Sequence, residues 1–537
     1  MPRVIVLVAG LLAGSAFIVQ AAAAGGADDA APPPLSGLKA EAAERVDSMA
    51  KLTQEIVYSV FSFGELGFQE YETARYLTAI LEEHGFAIER GVSGMPTAWW
   101  ATWGSGEPVI ALGSDVDGIP KSSQVPGVAW RQPLVEGAPG HGEGHNSGQA
   151  VNITAALALK AIMERERLSG TLVLWPGVAE ELVAAKAWFA RDGRFENVDA
   201  VLFTHVSDSV SGGRPRGTGL VSVEYTFDGV AAHGAGDPWK GRSALDAVEL
   251  MNVGWNFRRE HLHPLQRSHY VIVVGGDQPN VVPSKATVWY FVREITADGI
   301  RRNFETLQRM AEGAAMMTDT TVSRRIVGAA YPRHFNKPIA LAMDENIRAV
   351  GLPNWSEDDQ AFARALQELM EAEEITGLAT ELEGVQEPEE DPVSGGSDDI
   401  GDVSWSVPTV TLRFPSNVDG MQFHHWSSAM AMATPIAHKG ATAGAKVIAA
   451  TVLDLLQDEE LRQDAWSYFR DEQLAGEEYR PFISPDDPPA IEKNADIMET
   501  YRDRMREFYY DPARYDTYLE QLGIDYPQLR KPRETTP

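Results

Sequence analysis

Cysteine is absent from all 537 residues. That excludes disulfides, thiolate zinc fingers, iron–sulfur clusters and cysteine nucleophiles together, so any metal must sit on His, Asp and Glu. Basic charge is scarce as well, with 46 Lys and Arg against 77 Asp and Glu, a formal net charge of −31. A phosphate backbone needs a basic face and anionic lipid a polybasic patch, so neither nucleic acid nor a membrane surface is an expected partner. Apolar runs long enough to span a bilayer are missing too. The longest, Val4 to Val19, follows Arg3 and exits through Gln20 and Ala21–Ala24. It falls short of the ~20 residues of a membrane anchor and predicts a secretory signal peptide over residues 1–24. The mature chain is expected to be secreted or periplasmic, opening with a disordered Ala- and Pro-rich leader over residues 25–39.

What is present is an ordinary globular mix, 44% hydrophobic and 23% charged, long enough for more than one domain. Ala40 to Leu81 has helical periodicity. Val109–Gly113, Gly170–Pro176 and Ala200–His205 read as buried strands, alternating with helices over Val151–Arg167 and Glu180–Arg191. This rhythm predicts an α/β fold around a central parallel or mixed sheet, with polar residues gathered at the strand ends. Between Gly219 and His334 the order becomes strand, helix, two strands, helix, strand, the βαββαβ ferredoxin-like arrangement of an inserted module. The α/β pattern resumes with strand Val410–Phe414 and helix Ala441–Leu456. The predicted organisation is therefore an α/β body over residues 40–218 and 337–456, a module over 219–336, and an acidic C-terminal extension over 457–537 that could cap the body. Gln367–Asp402 holds thirteen acidic residues and no basic one, and reads as a solvated surface segment.

Chemistry-bearing residues fall in five clusters. Ser114-Asp-Val-Asp117-Gly follows a strand, and Gly140-His141-Gly-Glu143-Gly-His145-Asn146 lets side chains converge between glycines. Glu180-Glu181 follows another strand; adjacent carboxylates suit one metal ligand and one proton carrier. Thr204-His205 closes a third strand, and Gln422-Phe-His424-His425-Trp426 lies far along the chain. Asp115 fits a loop cap or an acceptor behind the ligands, and His141 fits substrate contact or loop structure equally. His438 reads as a helix cap, and His261, His263 and His269 as surface residues. Trp130, Trp239 and Trp405 hint at an apolar acyl or aryl group, or at core.

These clusters, together with Ala231-Ala-His233-Gly-Ala-Gly-Asp-Pro-Trp239, Gly275-Gly-Asp-Gln-Pro-Asn280-Val-Val-Pro283 and Asp399-Ile-Gly-Asp402-Val-Ser-Trp405, resemble the co-catalytic metallopeptidase and amidohydrolase family of carboxypeptidase G, hippurate hydrolase and N-acyl-amino-acid amidohydrolases. Within it, the p-aminobenzoyl-glutamate hydrolase type is the nearest branch. The similarity runs from Glu65 to Asp486. It implies that the inserted module is a dimerisation domain and that two divalent ions, Zn or Mn, are held by Glu143, His145, Glu181, His205 and His424, with His425 the alternative last ligand. It further implies Glu180 as general base and Asp117 at the loop that orients a ligand or touches the metal shell. His233 would act in the partner subunit's site, and Asn280 and Arg293 would hold the oxyanion and the substrate carboxylate. The implied activity is hydrolysis of an N-acyl or N-aroyl amino acid, or a small dipeptide, by a homodimer. One departure matters: relatives usually carry Cys where this chain has Glu143. Glutamate can bind metal through oxygen and resists oxidation outside the cytoplasm. A degenerate metal site would instead leave a non-catalytic periplasmic binding protein for a carboxylated ligand.

Overall fold

A computed structural model describes residues 34–213, 217–382, 384 and 396–531. The predicted signal peptide, most of the 25–39 leader and much of the acidic run lie outside them. The first helix starts at Gly37, inside the segment read as a leader. Among the described residues, no helix is long and apolar enough to cross a membrane.

The large sheet has seven strands: β1 (Ala87–Arg90), β2 (Trp99–Ser105), β3 (Val109–Asp115), β4 (Gly170–Gly177), β5 (Ala200–Ser207), β6 (Ser211–Gly212) and, far along the chain, β11 (Thr409–Pro415). Their order is β1-β2-β4-β3-β5-β11-β6. The four central strands pair in parallel, and antiparallel strands form both edges. The chemistry of the strands explains this. β4 and β5 are buried along their whole length, as expected for apolar runs covered on both faces. Parallel neighbours need crossovers. The Ala-rich helix Gly148–Glu166 makes the one between β3 and β4, and it packs against Pro435–Gln457, which follows β11. β1 is only four residues long and β2 is Trp-rich; their strand character comes from pairing, β1 on β2 and β2 on β4.

The second sheet comprises β7 (Gly219–Asp228), β8 (Arg267–Val274), β9 (Lys285–Glu294) and β10 (Thr321–Ala330) in the order β10-β7-β9-β8, all antiparallel. Helices Ala244–Arg259 and Ala297–Thr318 complete the βαββαβ sequence. Alternation along β9 sends Ala286, Val288, Tyr290 and Val292 into the core and Trp289, Phe291 and Arg293 to the other face, the period of two that a half-covered sheet requires. Gly328 lets this sheet meet the body: a Cβ there would stand 2.2 Å from the Val183 carbonyl oxygen.

One expected element is different. Glu180–Arg191 is not one helix but a single 3-10 turn, Glu180–Leu182, followed by the short helix Lys186–Arg191. Ala179 (φ 54°) and Val183 (φ 52°) flank the turn in the left-handed region. Neither residue type favours that conformation, and the strain is of a kind that gathers at functional sites.

Candidate metal centre

The site is built at the carboxyl ends of the parallel strands, where open α/β sheets bind ligands. Asp117 follows β3, Glu180 and Glu181 form the turn after β4, and His205 lies on β5. Glu143 and His145 come from the loop before helix Gly148–Glu166, and His424 from the loop after β11.

These side chains converge. Glu143 faces two histidines through different oxygens, Oε1 lying 3.4 Å from His205 Nε2 and Oε2 3.0 Å from His424 Nε2. Glu181 Oε2 lies 3.3 Å from His424 Nε2, and its Oε1 lies 3.9 Å from His145 Nδ1. Glu180 Oε2 stands 4.0 Å from His145 Nε2. His424 is the exposed member, its side chain 65% accessible, and it reaches in from a left-handed backbone (φ 58°). His425 turns instead to Ser427, Nδ1 to Oγ 2.9 Å, so the last position of the cluster belongs to His424.

Asp117 is buried behind His145. Its Oδ2 accepts the Glu181 backbone N–H at 3.0 Å, and its Oδ1 lies 3.3 Å from His145 Nδ1. This places the proton of neutral His145 on Nδ1 and leaves Nε2 as the lone-pair donor, the usual arrangement of a metal-binding imidazole and the acceptor behind it. Gly67 permits the close packing: a Cβ there would lie 2.7 Å from Ala179 Cα and 3.0 Å from Asp117 Oδ2.

The donors fit a metal. His145 Nε2 and Glu181 Oε1 are buried without a protein hydrogen-bond partner, an expensive condition unless a ligand satisfies them. Ligand atoms of Glu143, His145 and Glu181 lie within 4.8 Å of one another, as do those of Asp115, His145 and His205. The set is oxygen and imidazole only, suited to Zn or Mn. Electrostatics agree. Burial and neighbouring Glu143 push Glu181 up to about 8. Burial, then the Asp115 and Asp398 carboxylates, hold Glu180 well above the carboxylate range. Burial would also raise Glu143, but the His424 hydrogen bond and the other histidines outweigh it and leave Glu143 low. Carboxylates crowded this way favour a bound cation.

A cavity of about 520 Å³ opens beside the cluster. Glu180, Glu181 and His424 line it together with the rings of Phe291 and Phe423 and three guanidiniums, Arg293, Arg333 and Arg413. Of the residues anticipated on the inserted module, Arg293 is therefore present. His233 and Asn280 are not: they stand together in solvent, joined by the Gly234 N–H bond to the Asn280 carbonyl at 2.8 Å, and neither lines the cavity.

Some of the other residues settle as expected and some do not. Asp115 does lie behind the ligands, with one oxygen 2.6 Å from Lys186 Nζ. His141 is a packing residue, buried, with Nε2 3.0 Å from the Val60 carbonyl oxygen. His438 lies inside helix Pro435–Gln457 with its ring edge-on to Tyr58, not at a cap. Trp405 is core, Trp239 is exposed, and neither they nor Trp130 lines the cavity. The end of the acidic run is not solvated surface: Asp398 and Asp399 are buried around Lys186, itself fully buried and ion-paired to Asp115 and Asp399. Residue order alone does not single out Lys186, Arg333, Arg413 or Phe423. The one signal for Lys186 is a lone cation in an otherwise apolar stretch.

Residues 218–315 match the M20 peptidase dimerisation domain. A p-aminobenzoyl-glutamate hydrolase chain of Escherichia coli (strain K12) is 33% identical over 435 residues, covering 76% of this chain and 90% of that protein. The chain belongs to the M20 family. Among other M20 relatives, the Xaa-Arg dipeptidase of Mus musculus is 28% identical over 425 residues, 78% of this chain and 89% of that one. A solved structure of a putative aminohydrolase from methicillin-resistant Staphylococcus aureus shares the fold, with a TM-score of 0.52 at 20% identity over 78% of this chain and 100% of that one. This M20 protein is accordingly a hydrolase of amide bonds, with an α/β body and a separate dimerisation sheet.

Proposed function

We propose that the chain is an exported amidohydrolase that cleaves an N-acyl or N-aroyl amino acid, p-aminobenzoyl-glutamate being the model, or a small dipeptide. The observation that carries this reading is the pair of unpartnered buried donors, His145 Nε2 and Glu181 Oε1, beside a cavity that also holds Glu180 and Arg293. Two divalent ions, Zn or Mn, on Glu143, His145, Glu181, His205 and His424 would polarise the scissile carbonyl and make water a nucleophile near neutrality. Glu180 takes a proton from the attacking water and delivers it to the departing nitrogen, so that a C–O bond forms as the C–N bond breaks. Arg293 offers a planar fork to the substrate carboxylate. Phe291 and Phe423 shelter the acyl or aryl group.

The remaining donors come from a second copy. His233 Nδ1 accepts the Ala235 and Gly236 N–H groups at 3.2 and 3.0 Å, so neutral His233 carries its proton on Nε2, aimed outward as an oxyanion donor should be. Asn280 stands beside it. The edge strand β8 exposes Val271, Ile272, Val273 and Val274, a liability that pairing with a partner strand would cover. The family match to a dimerisation domain supports a homodimer. Export rests on the leader at residues 1–24.

The test is turnover by the metal-loaded protein on a panel in which acyl group and amino acid vary separately. Hydrolysis of carboxylate-bearing amides is expected; no turnover across the panel would refute the reading.

A further inference from the structure

The C-terminal tail reaches the substrate-binding face without lining the cavity. On that face of β9, Trp289, Phe291 and Arg293 follow one another at alternate positions. Lys493, from the tail, places its ammonium 4.5 Å from the centre of the Trp289 ring and ion-pairs with Glu224, the residue opposite Trp289 on β7. Trp289 donates its indole N–H to Ser222 Oγ at 2.8 Å and meets Phe291 edge-on at 5.8 Å. Phe291 in turn lies 5.2 Å from the Arg293 guanidinium. Arg293 has few other constraints: its Nε is buried without a hydrogen-bond partner, and Nη1 lies 3.2 Å from His269 Nε2.

The other side of Lys493 is fixed to the catalytic body. Gln69 Nε2 donates to the carbonyls of Ile491 and Lys493, both at 3.0 Å, and Asn494 Nδ2 donates to the Gly67 carbonyl at 3.0 Å. The same short loop supports the turn that carries Glu180 and Glu181, since Glu70 accepts the Ala179 N–H at 2.8 Å. One loop thus holds both the catalytic turn and the foot of Lys493. The Glu492–Arg325 ion pair ties the tail to β10 but touches no ring of the ladder.

We propose that Lys493 is a positioning residue, which through Trp289 and Phe291 sets the angle at which Arg293 meets the substrate. The proposal rests on the reading that Arg293 receives the substrate carboxylate. Its contribution is to the fit of a charged group, so it belongs in KM for carboxylate substrates and not in kcat.

The experiment compares an N-aroyl amino acid that the wild type hydrolyses with the same compound whose carboxylate is a primary amide, using the metal-loaded full chain. Arg293→Ala should raise KM for the acid by more than about tenfold and for the amide by clearly less, because the amide offers the guanidinium only a neutral acceptor. Lys493→Ala should raise KM for the acid by about three- to tenfold, with kcat and the amide within about twofold. Lys493→Arg should restore the wild-type KM, and Lys493→Ala should add nothing in the Arg293→Ala background, since the two act on one interaction. Trp289→Leu should reproduce Lys493→Ala. If Lys493→Ala, or Trp289→Leu, changes acid and amide alike or changes neither, while Arg293→Ala still discriminates between them, the proposal is overturned and the reading of Arg293 survives. If Arg293→Ala fails to discriminate acid from amide, the reading beneath it falls instead.

Discussion

Around the carboxyl ends of the large sheet, ionisable side chains from separate loops crowd into one cavity, whereas on the small sheet His233 and Asn280 face solvent. The two regions handle polar groups by different physics. In the body, the carboxylates and imidazoles are largely buried against one another, leaving donors without protein partners, an arrangement that a bound cation stabilises. On the inserted sheet the polar groups keep their hydration and add little strain to the single chain. The strained, ligand-demanding groups lie in the body, and the solvated ones on the inserted module.

The largest expected effect comes from removing the proton carrier. Glu180→Gln should lower turnover by about 10²–10⁴ while elemental analysis finds the metal content unchanged; loss of metal with activity would instead make Glu180 a ligand. Stripping the metals with a chelator should abolish turnover and lower Tm by about 5 °C, because ions that bind only the folded state stabilise it. Zn or Mn should restore both, and a Tm indifferent to chelation would break the contrast between the two regions. His233→Ala should cost about 10²-fold on its own. Mixing it with Glu180→Gln should return up to about a quarter of wild-type activity, because half the random dimers then contain one intact composite site. No recovery on mixing would mean that His233 does not act across subunits.

The smallest effect is expected where the regions join. Asp402 accepts the Tyr331 N–H at 2.9 Å, just beyond β10, and the Tyr479 hydroxyl at 2.7 Å. Burial pushes its carboxyl up to about 7 from an ordinary 3.8, although those hydrogen bonds oppose the rise. The folded state therefore holds this proton more tightly than the unfolded chain does, and stability falls as pH rises from ~4 to ~7, then levels off. Asp402→Asn removes that slope. The variant's Tm should gain on the wild type by about 1–3 °C between pH 5 and pH 8, and parallel curves would contradict it.

Much of this was legible in the residue order. Apolar runs ending in polar clusters located β3, β4, β5 and β11, because a strand buried on both faces has little room for anything else. The order of strand, helix, two strands, helix and strand marked the second sheet. β1 and β2 escaped notice because strands on the antiparallel flank of the sheet owe their conformation to their partners, not to their own pattern. The helix expected over Glu180–Arg191 failed for a related reason. Good local helix formers were overridden by packing that forces Ala179 and Val183 into left-handed backbone, and that distortion turns both glutamates toward the cavity. Asp398 and Asp399 looked like the end of a solvated acidic run because nothing local reveals that Lys186, over two hundred positions earlier, waits in the core to pair with them.

The sequence by itself determined the chemistry that was possible: no thiolate, an oxygen and imidazole donor set, two adjacent carboxylates after a strand, and an α/β body with a second sheet inserted. Such properties depend on residue identity and on near-neighbour spacing, which the chain carries along its length. Only the tertiary structure decided which donors meet. It chose His424 over His425, drew Arg293 into the cavity and left His233 and Asn280 outside. It also brought Lys493 of the tail onto the face that bears Arg293. These are contacts between residues far apart in the chain, and they exist only once burial of apolar surface has fixed the separate elements at close range.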